Sequence, residues 1–215
     1  MKKNIFIVFV LLGFIFTFGS CANIRTFAYG ASSTITNPTG KTENWAREYN
    51  IPLRDWFDLD ISYLHFMLAQ DRSVHFYGVR SHTQMLQALY FDRNGDLVSF
   101  FSSAYASGFP NLRWNRNNEL NTFVPQTQAP IENALLNFDQ LRSFLNEINY
   151  TEQVTSSEYD YIVVVFWADA MGRQSRRFIR FIQQNVALAQ ENQRVRIIYV
   201  NMDRFRYDIV RSRQE

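Results

Sequence analysis

Apolar residues are grouped along the second half of this chain in runs of different spacing. Residues 161–167 are an unbroken β-branched and aromatic run, and residues 195–200 form another. A strand that is apolar on both faces belongs inside a sheet covered on each side. Residues 173–190, between the two runs, have one apolar side at helical spacing. Strand, helix and strand with short connections predict a βαβ unit with parallel strands. Residues 204–215 are expected to form a charged tail or a terminal helix.

In the first half, the clearest pattern is a hairpin followed by a helix. Residues 86–91 and 97–101 are apolar runs, and the Asn94-Gly95 pair between them suits the positive φ angles of a tight turn. Residues 138–148 are apolar at every third or fourth position, which predicts one amphipathic helix.

Two weaker patterns precede the hairpin. Residues 62–70 predict a short helix, with Asp60 or Ser62 as its cap. Residues 74–77 predict a short strand that is closed by Gly78.

Residues 102–130 are rich in Ser, Asn, Gly, Pro and Gln, which predicts a long loop. A loop of this length in a compact domain usually has a function or is partly disordered. Aromatic residues and Arg dominate the binding energy of protein interfaces. The loop is therefore a candidate partner-binding segment through Phe109, Arg113, Trp114 and Arg116. The alternative is that its aromatic side chains pack on the core.

The chain starts with a short basic segment and a charge-free apolar stretch of fifteen residues, 5–19. A spanning helix needs roughly 20 apolar residues, so this pattern is typical of an export signal over residues 1–20. Gly19-Ser20-Cys21 resembles a lipoprotein box, with Phe18 at the usual Leu position. The resemblance implies cleavage before Cys21 and its acylation, palmitate included, as a membrane anchor. The alternatives are an ordinary signal peptide and an uncleaved anchor.

Cys21 is the only cysteine in the 215 residues, so acylation leaves the mature protein without a thiol. Residues 21–44 are expected to be a lipidated tether, and residues 45–215 a packed domain because 16% of the chain is aromatic. Removing Lys2 and Lys3 from 22 basic residues leaves 20 against 20 acidic ones, which does not favour nucleic acid as a partner. No acidic residue follows Cys21 closely, which favours an outer-membrane protein that faces the periplasm.

The segment from Phe166-Trp167-Ala168 to residue 174 resembles the start of a thioredoxin-fold domain, in which Phe-Trp-Ala precedes Cys-Gly-Pro-Cys. The family's next parallel strand ends in Asn-x-Asp, matched by residues 201–203. The motif then falls on Met171, Gly172, Arg173 and Gln174. A thioether and an amide can neither attack nor resolve a disulfide. The resemblance therefore implies an α/β fold, a thioredoxin-like mixed sheet with flanking helices, without redox activity.

The order of the two halves differs from that family, in which the hairpin and last helix follow the βαβ unit. Here the hairpin-helix half, residues 45–150, precedes the βαβ half, residues 158–203. A circularly permuted domain would explain this order, and we prefer it because it makes one core of sensible size. The alternative is one degenerate domain, residues 45–150, followed by an incomplete second domain, residues 158–203.

Candidate side chains outside the loop include Arg173, Arg176, Arg177 and Arg180 in the first turns of the 173–190 helix. Positive charge there opposes the helix dipole, so the cluster is a candidate site for an acidic partner or phosphate. The alternative is a solvated face with ion pairs to Asp169 or Glu191. The three histidines have no recognised metal-ligand spacing, and neither a metal nor a cofactor is expected. They are His65, His75 and His82.

These patterns predict a non-enzymatic binding or scaffold module of the cell envelope with an envelope protein as partner. An envelope enzyme of a non-thiol class is the second hypothesis, and clustering of Asp169 with His75 or His82 would favour it. A degenerate remnant of marginal stability is the third.

Overall fold

The computed structural model describes residues 42–108, 111–132, 135–147 and 154–211. Cys21, the predicted signal and Phe109 lie outside these residues. The helices are α1 (Thr42–Glu48), α2 (Ser62–Ala69), α3 (Arg72–His82), α4 (Phe138–Arg142), α5 (Arg173–Val186) and α6 (Asp203–Arg211). The strands are β1 (Trp56–Leu59), β2 (Gln87–Asp92), β3 (Leu97–Ser102), β4 (Leu145–Glu147), β5 (Tyr161–Trp167) and β6 (Val195–Asn201).

The described strands form one six-stranded sheet in the order β3-β2-β5-β6-β1-β4. β6 is parallel to both β5 and β1. β2 is antiparallel to β5 and β3, and β4 is antiparallel to β1 at the other edge. The structure is therefore α/β, a mixed sheet with flanking helices, as the hydrophobic pattern predicts.

Buried side chains form one core on each face of the sheet. Successive residues of β5 alternate between the two cores: Val164 and Phe166 belong to the first, and Val163 and Val165 to the second. Side chains of α2, α4 and α6 pack in the first core. Side chains of α1 and α5 pack in the second. This double burial explains the unbroken apolar run of β5.

The predicted βαβ unit is confirmed, with parallel pairing from Tyr161↔Val195 to Trp167↔Asn201. Its helix ends at Val186, four residues before the predicted end. The predicted hairpin is also confirmed, but only Gly95 of the Asn94-Gly95 pair has the expected positive φ, at 81°. The expected terminal helix is α6. α1 begins at Thr42, so the last residues of the predicted tether, 42–44, are already helical.

The predicted strand over residues 74–77 is wrong, because these residues lie in α3. The side chain of Asp71 caps this helix by accepting a hydrogen bond from the backbone N–H of Ser73 at 2.9 Å. The apolar side chains that suggested a buried strand are exposed instead. Val74 is 69% exposed, Phe76 54% and Tyr77 56%.

The single helix predicted over residues 138–148 is wrong in its second half, because α4 ends at Arg142 and β4 follows it. β4 pairs with β1 through Leu59↔Leu145. The backbone carbonyl of Phe144 also accepts a hydrogen bond from the N–H of Asp60 at 2.8 Å. Without β4, β1 would be an edge strand with unpaired backbone groups. Pairing with β1 is therefore more favourable for this segment than one more turn of helix. Within the described residues, no helix is long and apolar enough to cross a membrane.

Candidate functional site

The carboxyl ends of β5 and β6 lie side by side because the strands are parallel and in register. The carboxylate of Asp203, just after β6, accepts hydrogen bonds from the backbone N–H groups of Asp169 at 2.6 Å and Ala170 at 3.3 Å. The side-chain amide of Asn201 donates to the same carboxylate at 3.0 Å. The buried Asp203 side chain therefore ties the segment after β5 to the start of α6.

Asp169 is the titratable group of this corner. Burial, together with the hydrogen bond and negative charge of Asp203, raises the pKa of Asp169 to about 7. On neighbouring β1, burial raises the pKa of Asp58 to about 6, although Arg204 at 3.9 Å acts in the opposite direction. Carboxyl groups that hold a proton near neutral pH are suited to general acid–base chemistry.

A pocket of about 460 Å³ opens beside Asp58. The other residues that line it are Leu59, Asp60, Ile61, Asn146, Arg204 and Asp208. Asp58 and Asp203 interact electrostatically. The pocket and the Asp169 corner are therefore electrostatically linked through these two carboxylates.

The four positions that match the thioredoxin motif lie between β5 and α5. Met171 is half-buried and packs against both cores. Gly172 has a φ of 46°, and its carbonyl accepts a hydrogen bond from the Tyr49 hydroxyl at 3.0 Å. Gln174 is buried, and its Oε1 has no hydrogen-bond partner in the described part of the chain. Arg173 is exposed. Three of these four positions thus pack into the protein.

The remaining arginines of α5 make separate contacts. Arg176 forms an ion pair with Glu48 of α1 at 3.0 Å, instead of the Asp169 or Glu191 partners considered from sequence. Arg177 lies over the ring of Phe181 at 5.6 Å. Arg180 is exposed. Because surface ion pairs contribute little free energy, the pair of Arg176 mainly orients its side chain towards α1.

The predicted loop is folded onto the sheet and α5 as a lobe, residues 103–129, of which 109 and 110 lie outside the description. Trp114 is fully buried, with its ring centroid 4.0 Å from that of Phe178. At the other end of the lobe, the N–H groups of Gln128 and Ala129 donate to the carbonyl of Phe100 on β3, at 3.0 and 2.8 Å. Trp114 therefore packs on the core, which is the alternative that the sequence left open for the aromatic residues of the loop.

The lobe brings Arg113 and Arg116 to one pocket of about 300 Å³. Both arginines are exposed. The other lining residues are polar apart from the ring of Tyr105: they are Ser107, Asn117, Glu119, Gln126, Thr127 and Gln128. Sequence analysis selected the two arginines from residue type alone, whereas the amide and hydroxyl residues around them carried no pattern that could have identified them.

The three histidines occupy different surroundings. His65 and His75 are exposed on α2 and α3. His82 is fully buried, its ring stacks on Phe100 at 4.8 Å, and burial lowers its pKa to about 3. The charged groups that act on the pKa of Asp169 are Asp203 and Arg206. His75 and His82, whose clustering with Asp169 would favour an enzyme, are not among them. No group of three or more His, Cys, Asp or Glu in the described ranges could hold a metal ion.

An exposed apolar surface at the α2–α3 corner was missed from the sequence. It consists of Leu68, Val74, Phe76 and Tyr77, each more than half exposed. The sequence did contain a signal for α3, because Asp71 is a good helix cap and directly precedes Arg72. The β-branched and aromatic residues after it favoured a strand prediction instead.

Comparison of the chain with protein-family models, with curated proteins and with solved structures found no match.

Proposed function

We propose that this protein is a membrane-anchored lipoprotein of the cell envelope whose redox-inactive, thioredoxin-like domain acts as a binding module. One observation carries the proposal: the lobe is fixed to β3 and α5 and holds two exposed arginines at an open pocket. By contrast, Met171 and Gln174, which stand for the reactive cysteines of the family, pack into the protein. The lobe therefore offers a polar surface to a ligand, whereas these two positions do not.

The permuted thioredoxin-like interpretation is supported by the sheet order. The β2–β3 hairpin pairs antiparallel with β5, although it precedes the βαβ unit in the chain. The two strands of the second half, β5 and β6, lie together between strands of the first half, since β1 lies beyond β6 and β2 lies beyond β5. One shared sheet favours a single permuted domain over two successive domains.

The anchor part of the proposal rests on Cys21, which precedes Thr42 at the start of α1 by 21 residues. Even a fully extended chain of 21 residues reaches at most about 75 Å. Lipid on Cys21 would thus hold the domain close to the membrane, with the lobe available to an envelope protein or to a small ligand.

A cross-linking experiment in intact cells tests the binding module. A photoreactive amino acid in place of Asn111, an exposed lobe residue two positions before Arg113, should give a discrete adduct in the full-length protein, whereas the same amino acid at exposed Arg80 on α3 should not. The Cys21→Ser variant should move from the membrane fraction to the soluble fraction. Identical cross-linking from both positions would refute binding at the lobe, and unchanged membrane association of the variant would refute the lipid anchor.

An envelope enzyme of a non-thiol class remains the second candidate because of the Asp169 corner. A pKa of about 7 lets Asp169 give or take a proton near neutral pH, and a 460 Å³ pocket lies beside neighbouring Asp58. Turnover of ester or glycoside substrates that is lost in both Asp169→Asn and Asp203→Asn would support the enzyme. Activity retained in both variants would remove these two carboxyl groups from consideration.

A further inference from the structure

We infer that the lobe pocket binds a small polyhydroxylated molecule carrying an anionic group, either a carboxylate or a phosphate. This inference rests on the proposed binding function and adds the chemical class of the ligand. Three properties of the pocket support it: its charge, its uncharged polar lining and its rigidity.

The charge of the pocket favours an anion. Arg113 and Arg116 form no ion pair with any described residue, and both are exposed at the pocket. Glu119 is the one acidic residue among the described lining residues. Its carboxylate already accepts hydrogen bonds from the backbone N–H and the side-chain amide of Asn117, at 2.9 and 2.8 Å. Two guanidinium groups are therefore available, and their planar N–H donors match the oxygens of a carboxylate or phosphate.

The uncharged lining favours hydroxyl groups on the rest of the ligand. Gln128 lines the pocket, and its buried Oε1 has no hydrogen-bond partner among the described residues. Rotation of this side chain towards a ligand hydroxyl would give the oxygen a partner. Ser107 and Gln126 add a hydroxyl and an amide group that both donate and accept, whereas the hydroxyl of Thr127 is already bonded to the backbone of Phe100 and Ala129. A purely apolar ligand would leave these groups without water or partners, which costs free energy.

The positions of the two arginines are supported by the backbone beneath them. The N–H of Arg113 donates to the carbonyl of Ser107 at 2.9 Å, and Arg116 Nη1 lies 3.4 Å from the Ser107 hydroxyl. Gly108 has a φ of 89°, and a Cβ there would lie 3.2 Å from Arg113 Cγ, so glycine leaves room for this side chain. A pocket that is largely formed before binding loses less entropy when the ligand arrives, and about 300 Å³ is within the range of small-molecule sites.

Isothermal titration of the purified full-length protein in detergent tests the inference with three probes that share one pyranose ring. These are glucuronate, glucose 6-phosphate and uncharged glucose. We expect at least one anionic sugar to bind roughly ten-fold or more tightly than glucose, since charge-assisted hydrogen bonds are the stronger kind. Preference for glucuronate identifies a carboxylate ligand, and preference for glucose 6-phosphate identifies a phosphate ligand.

Matched variants locate the binding. Arg113→Gln and Arg116→Gln should each weaken binding of the preferred sugar roughly ten-fold. Arg80→Gln, which changes an exposed arginine on α3, should leave it unchanged. Equal binding of glucose and both anions, no binding of any probe, or equal effects of all three variants would overturn the inference. Adducts from position 111 that persist despite such a result would leave the binding module intact and refute only this ligand class.

Discussion

Asp169 couples the stability of the protein to pH because its carboxyl group is more basic in the folded chain than in the unfolded one. Its pKa rises on folding from 3.8 to about 7, and that of Asp58 rises to about 6. Between the unfolded and folded values, the folded state binds more protons than the unfolded state. The free energy of unfolding therefore falls, through these groups, as pH rises from about 4 to about 7.

Replacing Asp169 with Asn should reduce the fall in stability that occurs as pH rises. The amide stays neutral at all pH values and can still donate a hydrogen bond to Asp203, as the protonated carboxyl group does. We expect Asp169→Asn to raise the melting temperature at pH 8 by a few degrees and to change it little at pH 4. Thermal unfolding followed by circular dichroism at both pH values measures the effect.

Asp96→Asn is the control, because Asp96 is exposed in the hairpin turn. It should change the melting temperature by a similar small amount at both pH values. An Asp169→Asn variant that is less stable than the unmodified protein at pH 8 would show that the carboxylate form of Asp169 is the stabilising one.

The lobe is the element whose structure depends most on a single side chain. Trp114 is fully buried and lies against Phe178 of α5, and the last residues of the lobe bind the edge strand β3. Between these two attachments the chain contains one 3-10 turn, Glu119–Asn121, as regular structure. The contact of Trp114 with the second core is therefore expected to keep the pocket residues Arg113 and Arg116 in place.

Trp114→Ala should lower the free energy of unfolding by about 3–5 kcal/mol, the usual cost of removing a large buried aromatic side chain. Phe76→Ala removes an aromatic ring that is 54% exposed on α3, and it should change stability by about 0.5 kcal/mol or less. Urea unfolding of both variants measures the difference. Equal stability of the two variants would mean that the lobe is not held by its tryptophan.

Helices and strands whose structure depends on local sequence could be predicted, whereas those that depend on a distant partner could not. The hairpin follows from Asn94-Gly95 and its flanking apolar runs, and β5 follows from seven consecutive apolar residues. β4 does not follow from local sequence, because Leu145 is equally suited to a helix and is drawn to the edge of β1 by residues more than eighty positions earlier. α3 was misread because Val74, Phe76 and Tyr77 have strand propensity but little burial.

At the scale of the whole molecule, both halves of the chain complete the same sheet. β5 pairs with β2 on one side and β6 on the other, and β1 pairs with β6 and β4. Either half alone would leave β5 or β2 with an unpaired edge, and an exposed strand edge is a site for aggregation. Each of the two cores also contains residues from both halves.

The folded domain should therefore unfold in one cooperative transition. We expect urea unfolding curves from tryptophan fluorescence and from far-ultraviolet circular dichroism to coincide, because Trp56, Trp114 and Trp167 report on the same core that holds the sheet. Two separated transitions would instead favour two successive domains. A broad transition of very low midpoint would favour the degenerate remnant.

The sequence by itself determined the buried strands, the hairpin, the helix of the βαβ unit and the single cysteine, since each depends on residue type and short-range spacing. Only the tertiary structure decided which polar groups meet. Asp169 and Asp203 are 34 residues apart and become partners through parallel pairing of β5 and β6. Arg113 and Arg116 share a pocket with Gln126 and Gln128 because Phe178 holds the middle of the lobe through Trp114 and Phe100 holds its last residues. Hydrophobic periodicity encodes which face is buried, but it carries no information about which distant polar side chain lies opposite, and the candidate sites are made of such pairs.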